Sequence, residues 1–407
     1  MNKTYSVQHF LPVLGGLIFF LLPWYYTDSG LPQPVDVPMI ILVASLCLLG
    51  IPNSLTYFYH SKILRSFIFL SVYASIIFLI EFIISNQFIS LLLLLQNFYF
   101  VLLLIGFLSF FSYLKNRYDF AFFYKLTLIF LIVDLLIPLF FLTKTITPIL
   151  LFSQFQLSTS RISLSFNNQN QLGFFALVNL SLFFYMTLQA RAHAIKIKKT
   201  LSMIIINLNL LLLFLSASRA CYPIILLYVF SYPMIFNFRV RGFTQVLAGC
   251  LGAFAILVSL MEIAYKLYAH MLFVRKSTTP TDAFGLFNDF YFRAIRGFSD
   301  VFSDSWYFLF GNGNYKSASR GSLEFHNNFL AMWNMIGLIG LLLYIYMNLL
   351  IFKNLMKKGF YYLMPYLCYL FFSMFHYSYR TRPHWILLAM FIFIIVESQK
   401  QPKNYIR

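Results

Sequence analysis

The chain has 407 residues, of which 60% are hydrophobic and 10% are charged, and its mean hydropathy is +0.77. This composition excludes an ordinary water-soluble domain, which carries far more charge on its surface. The formal net charge of +18 does not indicate nucleic acid as a partner, because basic residues in the loops of membrane proteins set the topology of the chain.

Apolar runs near 20 residues in length recur along the whole chain and predict bilayer-spanning segments. These segments must be helical, because lipid offers no partner to backbone N–H and C=O groups. We therefore expect an all-α, polytopic membrane protein with about 12 transmembrane helices and one long extracytoplasmic loop between the ninth and tenth spans. The predicted spans are 10–26, 37–58, 66–84, 88–113, 121–143, 171–189, 201–217, 220–237, 243–265, 326–352, 360–379 and 384–397.

The spans and the polar stretches between them divide the chain into four regions. Residues 1–160 are predicted to form a scaffold of transmembrane helices, and residues 161–265 are helices that carry Arg161 and Arg219. Residues 266–325 form the extracytoplasmic loop. Residues 326–407 hold the C-terminal transmembrane helices and a cytoplasmic tail.

The distribution of Lys and Arg predicts how the chain is oriented. With the N-terminus inside, most basic residues fall in cytoplasmic segments, whereas the outer segments 27–36 and 85–87 hold none. Both termini are then cytoplasmic, and the number of spans is even. The basic residues left on the outer side suggest an anionic ligand there, and they are Lys144, Arg161, Arg219, Lys266, Arg275, Lys276, Arg293, Arg296, Lys316, Arg320, Arg380 and Arg382.

Four even-numbered spans are predicted to begin at the outer face beside Arg, Asn or His. A helix N-terminus is the positive end of the helix dipole, so convergence of these starts would create an anion site. The guanidinium of Arg219 is suited to bind a phosphate through two hydrogen bonds. Alternatively, Arg219 anchors the turn by extending its side chain to the membrane interface. His326 begins the tenth span, where a neutral imidazole is favoured and suits a general base. An interfacial His can equally be structural.

Four short motifs occur in a fixed order over residues 161–340. Arg161 precedes Asn168-Gln-Asn170-Gln-Leu172-Gly173, and Ser216-Ala-Ser218-Arg219 forms a turn between spans. Arg293 precedes Gly311-Asn-Gly313, and His326-Asn327 precedes Gly337-Leu-Ile-Gly340. This pattern resembles the O-antigen polymerase and ligase superfamily, which includes Wzy-type polymerases and lipid A-core ligases. Met335-Ile336 departs from it, because many relatives carry Glu-x-Gly there.

The resemblance implies a glycosyltransferase that polymerises repeat units of O-antigen, capsule or exopolysaccharide from undecaprenyl diphosphate donors. It implies pyrophosphate binding by Arg161, Arg219 and Arg293, with His326 as general base. Further candidates for substrate binding are Arg296, Arg320, Asn327, Arg380 and Arg382. The implied location is the bacterial cytoplasmic membrane, with the active site on its outer face and a chain-length regulator as a further candidate partner.

Other readings of the sequence remain open. An O-antigen ligase would share the donor site and differ in its acceptor. A lipid-linked oligosaccharide flippase or another transporter would use intramembrane acids such as Asp134 and Glu81, although transporters keep their polar groups near the midplane. Asp300 and Asp304 are spaced to hold a hard cation, but solvated helix charges are the simpler interpretation. We expect no metal and no other cofactor.

Overall fold

The computed structural model describes residues 3–25, 32–49, 61–86, 88–151, 164–166, 169–196, 199–216, 220–235, 304–314, 316–317, 323–324 and 327–400. These residues form helices and turns, with one antiparallel pair of two-residue strands, β1 (Lys316–Ser317) and β2 (Leu323–Glu324). The helices are α1 (Lys3–Leu21), α2 (Asp36–Leu48), α3 (Lys62–Ser85), α4 (Phe88–Arg117), α5 (Phe120–Leu151), α6 (Gln169–Ala192), α7 (Lys199–Leu215), α8 (Cys221–Ile235), α9 (Ser305–Phe310), α10 (Asn328–Met356), α11 (Phe360–Ser373) and α12 (Arg382–Lys400).

The prediction of an all-α fold is confirmed for the described residues, and their apolar helices suggest a membrane protein. Helices occur at eleven of the predicted spans, and the ninth, 243–265, lies outside the described residues. Among the described helices, five are long and apolar enough to cross a membrane, namely Lys62–Ser85, Phe88–Arg117, Phe120–Thr143, Asn170–Ala192 and Asn328–Met356. Helix α11 ends at Ser373, short of residue 379, because residues 374–381 form a turn held by Asn328.

Helices α6 and α12 form the centre of the bundle. Every side chain of α6 from Gln171 to Thr187 is buried, and so is every side chain of α12 from Arg382 to Val396. A helix that is apolar on all faces is expected to be surrounded by others. Helix α6 packs on α5, α7, α8, α11 and α12, while α12 also packs on α4 and α10.

The outer helices bury one face and expose another that is also apolar. Val13, Val37, Ile83 and Phe69 are each more than 60% exposed, with values of 71%, 62%, 70% and 62%. Such surface is costly in water and is suited to contact with acyl chains. These faces are what a helix at the lipid boundary requires.

The two ends of the bundle differ in charge. The even-numbered helices begin at one end, which we call the Asn327 end, and the opposite end is called the Lys353 end. An ion pair between Lys115 and Glu397 joins the ends of α4 and α12 there. Arg380 and Arg382 lie at the Asn327 end, whereas ten of the described Lys and Arg residues lie at the Lys353 end, namely Lys62, Arg65, Lys115, Arg117, Lys125, Arg191, Lys196, Lys353, Lys357 and Lys358.

Candidate functional site

Most of the predicted site side chains lie outside the described residues. These are His326, Arg161, Arg219, Arg293, Arg296 and Arg320. The structure does describe Asn327, Arg380 and Arg382, together with segments that flank the other candidates. The geometry of the Asn327 end can therefore be built from these flanks.

Asn327 and Asn328 shape the start of α10. The Asn327 side-chain oxygen accepts hydrogen bonds from the backbone N–H groups of Phe329, at 2.8 Å, and Leu330, at 3.3 Å. It is an N-cap, a role that stabilises a helix by about 1 kcal/mol. The buried Asn328 amide donates to Ser378 Oγ and accepts from the Ser378 N–H, both at 2.9 Å. The residues after His326 are thus fixed to the turn that carries Arg380.

Arg382 forms a buried, bidentate ion pair with Asp36 at the start of α2. Its Nε lies 2.9 Å from Asp36 Oδ1, and its Nη2 lies 2.6 Å from Oδ2. The same carboxylate accepts from the Tyr99 hydroxyl at 2.5 Å and from the Gln33 N–H at 2.7 Å. A substrate phosphate would have to compete with Asp36 for this guanidinium. The visible role of Arg382 is to hold the starts of α2 and α12 together.

Two further groups lie around this pair. Tyr25 is buried and lies near Asp36 and Arg382. Arg380 is 3% exposed. It lines a cavity of about 20 Å³ with Gln96, Asn97 and apolar side chains. A space of that size holds about one water molecule, so the described cavity is too small for a sugar.

Helix α10 is interrupted near its start, and the segment after α9 fills the interruption. Ile336 and Gly337 have non-helical backbone angles. The carbonyl of Asn334 accepts from the Asn312 N–H at 2.9 Å, and that of Met335 accepts from the Gly313 N–H at 3.1 Å. Because these carbonyls lose helical partners at the break, the docked segment satisfies them.

The glycines of two motifs make this docking possible. Gly337 has φ +68° and ψ −175°, a conformation that is nearly exclusive to glycine. A Cβ on Gly337 would lie 2.2 Å from the Leu309 carbonyl oxygen, and one on Gly311 would lie 2.4 Å from the Ile336 nitrogen. Residues 309–313 and residues 334–337 therefore meet backbone to backbone.

The docked segment also covers the junction of α3 and α4. Ser90 Oγ donates to the Gly313 carbonyl at 3.3 Å, and a Cβ on Gly313 would lie 2.8 Å from the Cβ of Glu81. Glu81 is 4% exposed. This acid, one of the two intramembrane acids of the transporter alternative, thus lies beneath the segment that follows α9.

The flanks of the Arg161 and Arg219 motifs meet near the start of α6. A Cβ on Gly173 would lie 2.7 Å from Cys221 Sγ and 2.9 Å from Ser216 Oγ, so the residues on either side of 217–219 pack on α6. The Tyr25 N–H donates to the Ser165 carbonyl at 3.1 Å. The ring of Phe174 lies 6.0 Å from that of His376, which connects this region to the turn that carries Arg380.

Two other acids singled out in the sequence have described positions. Asp134 is fully buried in α5, close to Asn179 of α6. Neither carboxylate oxygen forms a well-oriented hydrogen bond with the described residues. Asp304 is exposed and caps α9, accepting from the Trp306 N–H at 2.6 Å. Asp300 lies outside the described residues.

Sequence reasoning missed Asp36, Asn328 and Asn334 as residues that organise this end. Asp36 had a usable signal, since it is an acid at the start of an apolar run, on the same predicted side as Arg382. Asn334 had a weaker signal, an amide three residues before Gly337 in an apolar helix. Searches with the sequence match no protein-family model and no curated protein.

Proposed function

We propose that this protein is a membrane glycosyltransferase that polymerises surface polysaccharide repeat units from undecaprenyl diphosphate donors. The proposal includes about twelve spans, cytoplasmic termini, and an outer loop between the ninth and tenth spans. The observation that carries it is the meeting of the described parts of the four motifs at the Asn327 end. Residues far apart in sequence that pack into one region suit a single site.

The orientation is supported by charge. Ten of the described Lys and Arg residues lie at the Lys353 end, against Arg380 and Arg382 at the Asn327 end, so the Lys353 end is the cytoplasmic one by the positive-inside rule. The Asn327 end then faces outward, and the even-numbered helices point the positive ends of their dipoles there. An anionic diphosphate is favoured at such a surface.

The proposed reaction uses four residues that neighbour the described flanks in sequence and lie outside the described residues. Arg161, Arg219 and Arg293 bind the donor pyrophosphate and stabilise the charge that grows on it as the bond from sugar C1 to oxygen breaks. His326 accepts the proton of the acceptor hydroxyl as its oxygen attacks C1. The anomeric centre inverts, and undecaprenyl diphosphate leaves. The activated donor supplies the driving force without a nucleotide.

A transporter is the second candidate, because fully buried Asp134 is the kind of intramembrane acid that proton-coupled carriers use. The deciding experiment reconstitutes the purified protein with lipid-linked repeat units and sizes the products. A ladder of lengths supports the polymerase. A single transfer to a lipid A-core acceptor would replace it with a ligase, and movement across the membrane without new glycosidic bonds would replace it with a flippase.

A further inference from the structure

A second polar region lies at the Lys353 end, far along the bundle from the proposed active site. Here the start of α3 and the ends of α10 and α12 enclose a cavity of about 290 Å³. Its polar lining includes three lysines, Lys62 from α3 and Lys353 and Lys357 from α10. Lysines from two helices thus converge on one space that is large enough for a phosphate and its substituent.

The backbone adds to the positive potential of this cavity. Three of its lining residues are Ser61, the N-cap of α3, and Lys62 and Ile63, the first two residues of that helix. Ser61 Oγ accepts from the Leu64 N–H at 3.2 Å, while the N–H groups of Lys62 and Ile63 have no partner within the helix. A helix start of this kind attracts anions. The C-terminus of α10, which is the negative end of its helix dipole, also lies at this cavity. Its partial charge of about half a unit does not offset three ammonium groups.

The nearby carboxylate does not neutralise the lysines. Glu397 follows the lining residue Val396, and it is ion-paired with Lys115. Lys62, Lys353 and Lys357 are exposed, so their ammonium groups are accessible to a ligand from solvent or membrane. Leu350, Ile395 and Ile63 supply apolar walls. A polar rim of ammonium groups over apolar walls suits an amphiphilic anion.

We propose that this cavity, which we call the α3–α10 cavity, is a binding site for a phosphate group. The phosphate lies against Lys62, Lys353 and Lys357 and the first turn of α3. It is carried either by an anionic phospholipid, whose glycerol and chains follow the apolar walls, or by a soluble phosphate compound. Basic pockets between transmembrane helices bind lipid headgroups in this way. The site is independent of the proposed glycosyl transfer.

The test compares purified wild-type protein with the double variant K353Q/K357Q. The matched control is K125Q/K196Q, which removes the same charge from exposed positions outside the cavity. Each protein is titrated with short-chain phosphatidylglycerol, phosphatidylcholine and inorganic phosphate, and bound ligand is counted by native mass spectrometry. All four substituted lysines are exposed, so both variants should fold.

We expect K353Q/K357Q to bind the anionic ligand about 30-fold more weakly than wild type, from about 1 kcal/mol per lysine. The control should bind within a factor of about two. Binding of phosphatidylglycerol without competition from inorganic phosphate assigns the site to lipid, and competition assigns it to a soluble phosphate. Equal binding by wild type and K353Q/K357Q, or an equal loss in the control, would overturn the proposal.

Discussion

The buried ion pair between Asp36 and Arg382 should carry much of the stability of the Asn327 end. Replacing Asp36 with Asn keeps the size of the side chain and removes its charge. The side chain of Arg382 is 3% exposed and that of Asp36 is 11% exposed, so the guanidinium would be left without its counter-ion away from solvent. Breaking a buried pair on one side is strongly destabilising, because a lone buried charge remains.

The expected cost of D36N is about 3–5 kcal/mol in the free energy of unfolding. Tyr99 and Gln33 donate to different oxygens of Asp36, so the single amide oxygen of Asn can keep only one of these hydrogen bonds. The lower part of the range applies if one is kept, and the upper part if both are lost. The double variant D36N/R382M should recover most of this loss, because both charges are then absent. Removing both partners of a buried pair is often nearly neutral.

Thermal unfolding in detergent measures these differences. The matched control is D119N, since Asp119 is an exposed carboxylate that caps the start of α5. Asn is an equally good cap, so D119N should change the free energy of unfolding by less than about 0.5 kcal/mol. If D36N were as stable as D119N, the inferred role of the pair would be wrong. The folded double variant also tests Arg382 as a substrate ligand, since full polymerising activity would exclude that role.

Two further variants test local geometry. G337A should destabilise the protein by about 1–3 kcal/mol more than G359A. Both glycines have positive φ, but a Cβ on Gly337 would meet the backbone of Leu309 and Phe310, while a Cβ on Gly359 would have nothing within 4 Å. Equal unfolding temperatures would contradict the docking of residues 309–310 on α10. Burial lowers the pKa of Lys358 from 10.5 to about 8. Between about pH 8 and 10.5 the unfolded chain therefore binds more protons at this residue than the folded chain does, so the free energy of unfolding rises with pH in that range. K358M should therefore be more stable than wild type by about 1–2 kcal/mol below pH 8, with the difference shrinking towards pH 10.5 in thermal scans; a difference independent of pH would refute this assignment.

The helices were predictable from the sequence because crossing a bilayer requires apolar runs of a set length. Runs such as 66–84 and 88–113 correspond to α3 and α4, since each backbone amide in lipid must bond within its own helix. The residues at which these helices end depend on contacts that hydropathy does not report. Helix α11 stops at Ser373 because Asn328, on another helix, binds the Ser378 backbone.

The local motifs of the site were predictable from the sequence, but the long-range contacts between them were not. The glycine motifs indicated special backbone at 311–313 and 337–340, but their mutual contact depends on a break in α10 that apolar composition conceals. Asn327 was predicted as a substrate-binding candidate, and the structure places its side chain as a helix cap. Pairing of Arg382 with Asp36 spans 346 positions in sequence, and no local pattern encodes a contact of that range.

The central claim is that His326 accepts the proton of the acceptor hydroxyl at the Asn327 end. The direct measurement reconstitutes wild type, H326A and H193A in vesicles with lipid-linked repeat units and follows the formation of the first glycosidic bond. His193 is an exposed histidine at the Lys353 end and serves as the control. We predict that H193A elongates like wild type, while H326A folds, inserts and forms the bond at least about 100-fold more slowly. Equal rates for H326A and wild type would contradict the account.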